Sequence, residues 1–256
     1  MSANKIEDYY SPRTILIILS ILLCILIDKI CGNALFLSVY WCLLLLSNGV
    51  IRRLSDKNLF LYTVRIIMYF LPYGFSIMWV DDKYINGTLN VIEILSAILV
   101  GLSFHCFKTK QWKIMFSKYN IAKSPYYRKS VIFLKGLSVI GSAICEEVFF
   151  RGFLFSQYGE NILLLYCLSC LLFTLNHFLV PWGDLFKISD VLNLVFFSMI
   201  ANCIFNICNS LLVVIIFHVA YDFFNIWIYF TIFDRYYIRK QYYDALEQEE
   251  EIEIEI

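Results

Sequence analysis

The chain has 256 residues, 60% of them hydrophobic and only 16% charged, with a mean hydropathy of +0.69. Water-soluble domains carry about 25% charged residues, and here the apolar residues fall in long blocks, which excludes an ordinary soluble domain and predicts an all-α polytopic membrane protein. Lys and Arg number 21 and so do Asp and Glu, so the formal charge of zero lacks the basic excess of a nucleic-acid binder.

In chain order, apolar runs predict spans at Arg13–Ile30, Ala34–Val50, Leu59–Val80 and Val91–Phe107. Beyond a basic loop come Val131–Phe155, Ile162–Pro181, Val191–Cys208 and Leu211–Phe233. A span needs about 20 residues, so about eight transmembrane helices are expected, with seven or nine also compatible. The first apolar stretch, Ile15–Ile27, lacks a small-residue cleavage site and is expected to stay as an anchor. The stretch Ser189–Asn209 around the seventh run carries Asn193, Asn202, Asn206 and Asn209, which suits either a bundle-interior span or a re-entrant segment shielded by protein.

Loop charge gives the orientation. Arg52, Arg53 and Lys57 follow the second run, Lys108, Lys110, Lys113, Lys118, Lys123, Arg128 and Lys129 the fourth, and Arg235, Arg239 and Lys240 the eighth. The alternate loops Asp81–Asn90, Ser156–Asn161 and Asn209–Ser210 contain only Lys83. By the positive-inside rule the chain is a multi-pass cell-membrane protein with both termini cytoplasmic. The expected organisation is a four-span scaffold over residues 1–130, a functional core over 131–233 and a cytoplasmic acidic tail over 234–256. Nine cysteines lie mostly within apolar runs and read as small packing residues, including the Cys167/Cys170 pair.

Six polar residues of the later spans stand out, because a charge at mid-membrane costs about 2.5–3.5 kcal/mol on insertion scales. In GSAICEEVFFRGFLF, Glu147 and Arg151 are four apart on one helical face, while Glu146 falls about 140° from Arg151. Glu147 and Arg151 are therefore expected to pair, leaving Glu146 as the candidate general base. A wholly structural Glu–Arg–Glu knot fits the same residues. His177 lies four residues after Phe173, whose ring is expected to pack against the imidazole. His218 and Asp222, again four apart, suit a carboxylate that orients an imidazole, or a pair that merely satisfies itself. His105, the third histidine, has no carboxylate at helical spacing and reads as interfacial.

Taken together, EExxxR (Glu146, Glu147, Arg151), FxxxH (Phe173, His177) and Hxxx[N/D] (His218, Asp222) resemble the motif series of the CAAX protease and bacteriocin-processing family. This is the CPBP or Abi family of intramembrane proteases. The resemblance covers about Val131–Phe230 and includes the Arg151–Gly152 step. It implies an endopeptidase with a polar active-site cavity formed by the later spans. Glu146 with His177 would activate a water, and His218 with Asp222 would lie at the oxyanion side. Glu146, Glu147, His177, His218 and Asp222 are thus the implied catalytic residues, with Arg151 and Phe173 positioning helix or substrate.

The resemblance equally implies, as an alternative, a zinc held by Glu146, His177 and His218. Family members commonly have Asn where this chain has Asp222. An ionised Asp cannot donate to an oxyanion, so Asp222 is expected to fix the His218 tautomer or to ligate a metal. The implied partners are membrane lipid and a peptide or membrane-anchored protein substrate, prenylated in eukaryotic relatives and linked to bacteriocin maturation or immunity in bacterial ones. A non-catalytic immunity factor or scaffold and a proton-relaying transporter are the rival readings. The expected spans also set Glu146 and His177 about 10 Å apart in depth, at 1.5 Å per residue.

Overall fold

The computed structural model describes residues 12–32, 35–51, 58–87, 89–124, 127–158, 161–179, 188–237, 240–241 and 243. Pro181, the acidic end Glu247–Ile256 and the basic residues Arg52, Arg53, Lys57 and Arg239 lie outside them. Every regular element among the described residues is helical. The α-helices are α1 (Pro12–Ile30), α2 (Phe36–Ile51), α3 (Leu59–Phe75), α4 (Asp82–Ile85), α5 (Val91–Ser103), α6 (Thr109–Met115) and α7 (Lys118–Lys123). They continue as α8 (Lys129–Glu147), α9 (Leu154–Tyr158), α10 (Ile162–Leu179), α11 (Ile188–Cys208), α12 (Leu211–Tyr221) and α13 (Phe223–Asp234).

Several helix starts are written in the sequence as asparagines, whose side-chain oxygen takes a free first-turn N–H. Asn58 accepts from Phe60 N at 2.9 Å, Asn90 from Ile92 N at 3.0 Å and Asn161 from Leu164 N at 3.1 Å. Helix α2 is capped from outside its own sequence. The buried Asp28 carboxylate accepts from Leu37 N at 3.1 Å, Ser38 N at 2.8 Å and Tyr158 OH at 2.7 Å.

Two helical segments, Leu59–Trp79 and Ile188–Cys208, are long and apolar enough to cross a membrane. The number rises to four if each of two bent pairs is one span: Val91–Cys106 with Thr109–Met115, bent by 80°, and Leu211–Tyr221 with Phe223–Asp234, bent by 57°. Phe36–Asn48 and Ile162–His177 are apolar but shorter. Among the described residues, two to four of the roughly eight expected spans therefore have a helix long and apolar enough to cross a membrane. The fifth expected run, Val131–Phe155, is no single α-helix, because Val148–Phe153 adopts a π-helix. The eighth bends at Asp222, one of the expected site residues. The Asn-rich seventh run is one continuous helix, which suits a span rather than a re-entrant turn.

The chain divides into two compact units. The first comprises Met1–Arg53, Met68–Thr88 and Cys145–Leu212. In it α1 packs on α2 and on α10, and α10 packs on α11. Its centre is aromatic: Phe149, Phe150 and Phe153 of the π segment are fully buried, and Tyr40 of α2 stacks on Phe149 and Phe153 with ring centroids 5.4 Å away. Pro72 interrupts the ladder of α3 by removing an N–H donor to Met68 O. Ser47 Oγ supplies the missing donor at 2.5 Å, and Tyr40 OH donates to the Pro72 carbonyl.

The second unit comprises Leu54–Ile67, Leu89–Ile144 and Val213–Ile256. Its core is an isoleucine cluster of Ile121, Ile132, Ile228 and Ile232. Here Gly101 lets α5 lie against α12. A Cβ at Gly101 would stand 2.6 Å from Phe217 O and 2.8 Å from Ala220 Cβ, the close backbone approach that small residues permit in membrane bundles. His105, read from sequence as interfacial, is buried, with Nε2 3.2 Å from Ala220 O.

Candidate active site

The two glutamates diverge where α8 passes into the π segment. Glu147 is fully buried and its Oε1 accepts from Arg151 Nη1 at 3.0 Å. Glu146 points elsewhere. Its Oε1 accepts the Tyr69 hydroxyl at 2.5 Å, and its Oε2 lies 3.7 Å from His177 Nε2. The depth mismatch expected between Glu146 and His177 does not arise.

His177 is held from behind. Its Nδ1 lies 3.0 Å from the Phe173 carbonyl and its ring is 4.5 Å, centroid to centroid, from that of Phe173. Because a carbonyl can only accept, Nδ1 carries the hydrogen and a neutral ring presents the Nε2 lone pair to Glu146. The 3.7 Å separation is too long for a direct hydrogen bond. A neutral His177 and an ionised Glu146 would aim two acceptors at one point, with the His177 side chain 23% accessible and the Glu146 side chain 6%.

Arg151 is fully buried and has a different task. Besides Glu147, it donates through Nε to Asn202 Oδ1 at 3.2 Å and through Nη2 to Ser198 Oγ at 2.8 Å. Its guanidinium also lies 4.9 Å from the Phe173 ring centroid, within cation–π range. Arg151 thus pins the π segment to α11 and α10. Of its expected duties, holding the helix and a substrate or neighbour, these contacts supply the hold on neighbouring helices. Glu147, expected among the catalytic residues, is the counter-charge of this anchor. Of the four asparagines noted in the seventh run, Asn202 is buried and used here. Gly152, next to Arg151, lets Val80 approach: a Cβ there would stand 2.9 Å from Val80 Cγ2.

Three site residues lay outside the sequence reading. Tyr69 and Tyr73, four apart on α3, and Asn48 on α2 belong to the part expected to be scaffold and the wall of a cavity. Tyr73 OH donates to Asn176 Oδ1 at 2.5 Å, and Asn48 Nδ2 donates to the same oxygen at 3.1 Å. This fixes the residue beside His177. The polar cluster of the first unit is accordingly built by α2 and α3 as well as by the later helices. One signal was available: two tyrosines at helical spacing on an apolar helix need polar partners wherever they are buried.

In the second unit, His218 Nε2 lies 3.5 Å from Asp222 Oδ2. Asp222 Oδ1 accepts from Asn225 Nδ2 at 2.9 Å. The residue sits at the break between α12 and α13 with φ −89° and ψ 5°. The four-residue spacing thus does bring the imidazole and the carboxylate together, across a bend that the sequence does not announce.

The fit of a zinc can be tested on these donors. A catalytic zinc takes three protein ligands and keeps a fourth position open. The first unit offers Glu146 and His177, and one Glu146 oxygen is already taken by Tyr69. Among the described residues no three His, Cys, Asp or Glu side chains form a group that could hold a metal ion. Within the first unit Glu146 and His177 by themselves fall short of the three-ligand set of a catalytic zinc, and no step is routed through a metal.

No curated protein and no solved structure gives a significant match to the chain. Residues 128–224 match the family model described as type II CAAX prenyl endopeptidase Rce1-like. That segment contains Glu146, Glu147, Arg151, Phe173, His177, His218 and Asp222, whereas Asn48, Tyr69 and Tyr73 precede it. Residues 128–224 thus match the CPBP/CAAX protease family, over the segment that holds all three polar motifs.

Proposed function

We propose that the chain is an intramembrane endopeptidase in which Glu146 and His177 together activate a water against a peptide carbonyl. The observation that carries this reading is the pair of acceptors 3.7 Å apart, Glu146 Oε2 and His177 Nε2. A water has two O–H groups and would satisfy both, which is the arrangement a general base needs before attack. Tyr69 holds the far oxygen of Glu146, so the free oxygen keeps its direction. As the water oxygen bonds to the carbonyl carbon, its proton passes to Glu146, which returns it to the leaving amine.

The family match supports peptide bonds as the substrate class, and its description supports prenylated C-terminal peptides as the first substrates to try. His218 is assigned to the oxyanion, with Asp222 fixing its tautomer, on the family resemblance alone. Eight spans, cytoplasmic termini and the core at residues 131–233 belong to the same proposal and rest on run lengths and loop charge.

The test is cleavage of prenylated and unprenylated C-terminal peptides by the full chain in proteoliposomes. Wild type should cleave, and Glu146→Gln should lose about 10²–10⁴-fold in rate with unchanged insertion and melting. Absence of turnover in wild type, or full activity in Glu146→Gln, would favour the non-catalytic scaffold.

A further inference from the structure

Asn48, Tyr73 and Asn176 are buried in the same unit as Tyr69 and Glu146, and their hydrogen bonds run one way. Asn48 Nδ2 donates to Tyr73 OH at 3.3 Å and to Asn176 Oδ1 at 3.1 Å, while Tyr73 OH donates to that same Oδ1 at 2.5 Å. Two donors fill the two lone pairs of the Asn176 carbonyl, so only its amide NH2 is left to give. Asn176 bears on the Tyr69 hydroxyl, whose own hydrogen goes to Glu146 Oε1 at 2.5 Å. Toward Asn176 the Tyr69 oxygen can therefore only accept. From α2 to α3, to α10, back to α3 and on to α8, every hydrogen points toward the carboxylate.

The upstream end of this chain of bonds carries a second, independent observation. Asn48 is 3% exposed, and its Oδ1 has no hydrogen-bond partner among the described residues. A buried acceptor left open is costly, and an apolar side chain of similar size would avoid the cost. Packing alone therefore does not account for an asparagine at this position. Its NH2 does, because hydrogen bonds in series polarise and strengthen one another. We propose that Asn48, Tyr73 and Asn176 are positioning residues, an oriented donor chain that commits the Tyr69 hydrogen to Glu146. The inference rests on the reading of Glu146 as the base and adds what fixes its direction. Asn48, Tyr69 and Tyr73 all precede the residues matched to the family, so the match does not supply this chain.

Asn48→Leu tests the chain, since it removes the first donor and the open carbonyl together. In the full protein in proteoliposomes, kcat on the prenylated peptide should fall about three- to tenfold, the rate equivalent of one neutral hydrogen bond. KM should hold and the melting temperature should not drop, whereas a merely structural asparagine would lose stability and spare kcat. Tyr69→Phe/Asn48→Leu should be no slower than Tyr69→Phe alone, because the chain acts only through that hydroxyl. Additive losses, or wild-type kcat in Asn48→Leu, would overturn the proposal. Tyr73→Phe, which keeps the ring, repeats the cycle if Asn48→Leu does not fold. A second readout needs no proteolysis: NMR of isotope-labelled tyrosine hydroxyl carbons, with Tyr69 assigned by its loss in Tyr69→Phe. The Tyr69 resonance should shift in Asn48→Leu and stay in place in Ser138→Ala, which removes a partner of Tyr62 instead. An unmoved resonance in Asn48→Leu would overturn the chain whether or not peptide is cleaved. A shifted resonance in a protein without turnover would uphold the chain and sink the protease reading alone.

Discussion

The Tyr69 hydroxyl donates to Glu146 Oε1 at 2.5 Å, across 77 residues of sequence. A carboxylate with one oxygen tied in this way has a single free oxygen, and that one faces His177. Hydrogen bonds to charged groups contribute about 1.5–3 kcal/mol. Tyr69→Phe keeps the ring packing and removes only the donor. It should lower kcat about 10–100-fold, the same free energy expressed as a rate, with KM little changed. Steady-state kinetics in proteoliposomes would show it. A rise in KM at constant kcat would mean that Tyr69 serves substrate binding instead.

The neighbouring glutamate should behave differently. Glu147 is the counter-charge of a fully buried Arg151, and removing one partner of such a pair costs about 3–5 kcal/mol. Glu147→Ala should therefore lower the melting temperature and the yield of folded protein. Glu146→Gln should alter neither. Melting curves of the two variants, taken side by side, separate the anchor from the base. Equal destabilisation by both would make the cluster a structural knot.

The anchor was legible because helical spacing alone brings Glu147 to Arg151, and the π segment leaves that contact at 3.0 Å. The same spacing rule separated Glu146 from it. The donors to Glu146 and Asn176 were not legible. A tyrosine in an apolar helix ordinarily reads as an interfacial aromatic, and nothing in FLYTVRIIMYFLPYGF announces which residue will face Tyr69. The π segment and the bend at Asp222 were equally silent, since VFFRGF and HVAYDFF contain no proline and only Gly152 as a local signal. Two to four of the expected spans have a described helix long and apolar enough to cross a membrane. Hydropathy reports that residues are apolar, not that they continue in one straight helix.

The Arg151–Gly152 step, noted in the sequence only as part of a motif, has a packing cause. Gly152→Ala would press its Cβ to 2.9 Å from Val80 Cγ2, and overpacking of this kind costs about 1–3 kcal/mol. Val80 is buried and branched, so it cannot swing away as a long side chain would. Val80→Ala removes the opposing methyl groups and should recover most of the loss in the double variant. A double-mutant cycle on thermal stability measures the coupling. Additive effects would show that the glycine is needed for backbone conformation rather than for space.

Glu146 and His177 supply two donors, and Tyr69 occupies the Glu146 oxygen that a bidentate carboxylate would need. Two ligands give far weaker zinc binding than the three of catalytic sites. The purified chain should therefore keep its peptidase activity after dialysis against a strong chelator. His177→Ala should leave its metal content unchanged while lowering kcat. Elemental analysis and activity, measured on the same samples, check both statements. Stoichiometric zinc in wild type that disappears in His177→Ala, together with loss of activity on chelation, would replace the two-acceptor water site with a metal-bound one and require a third ligand.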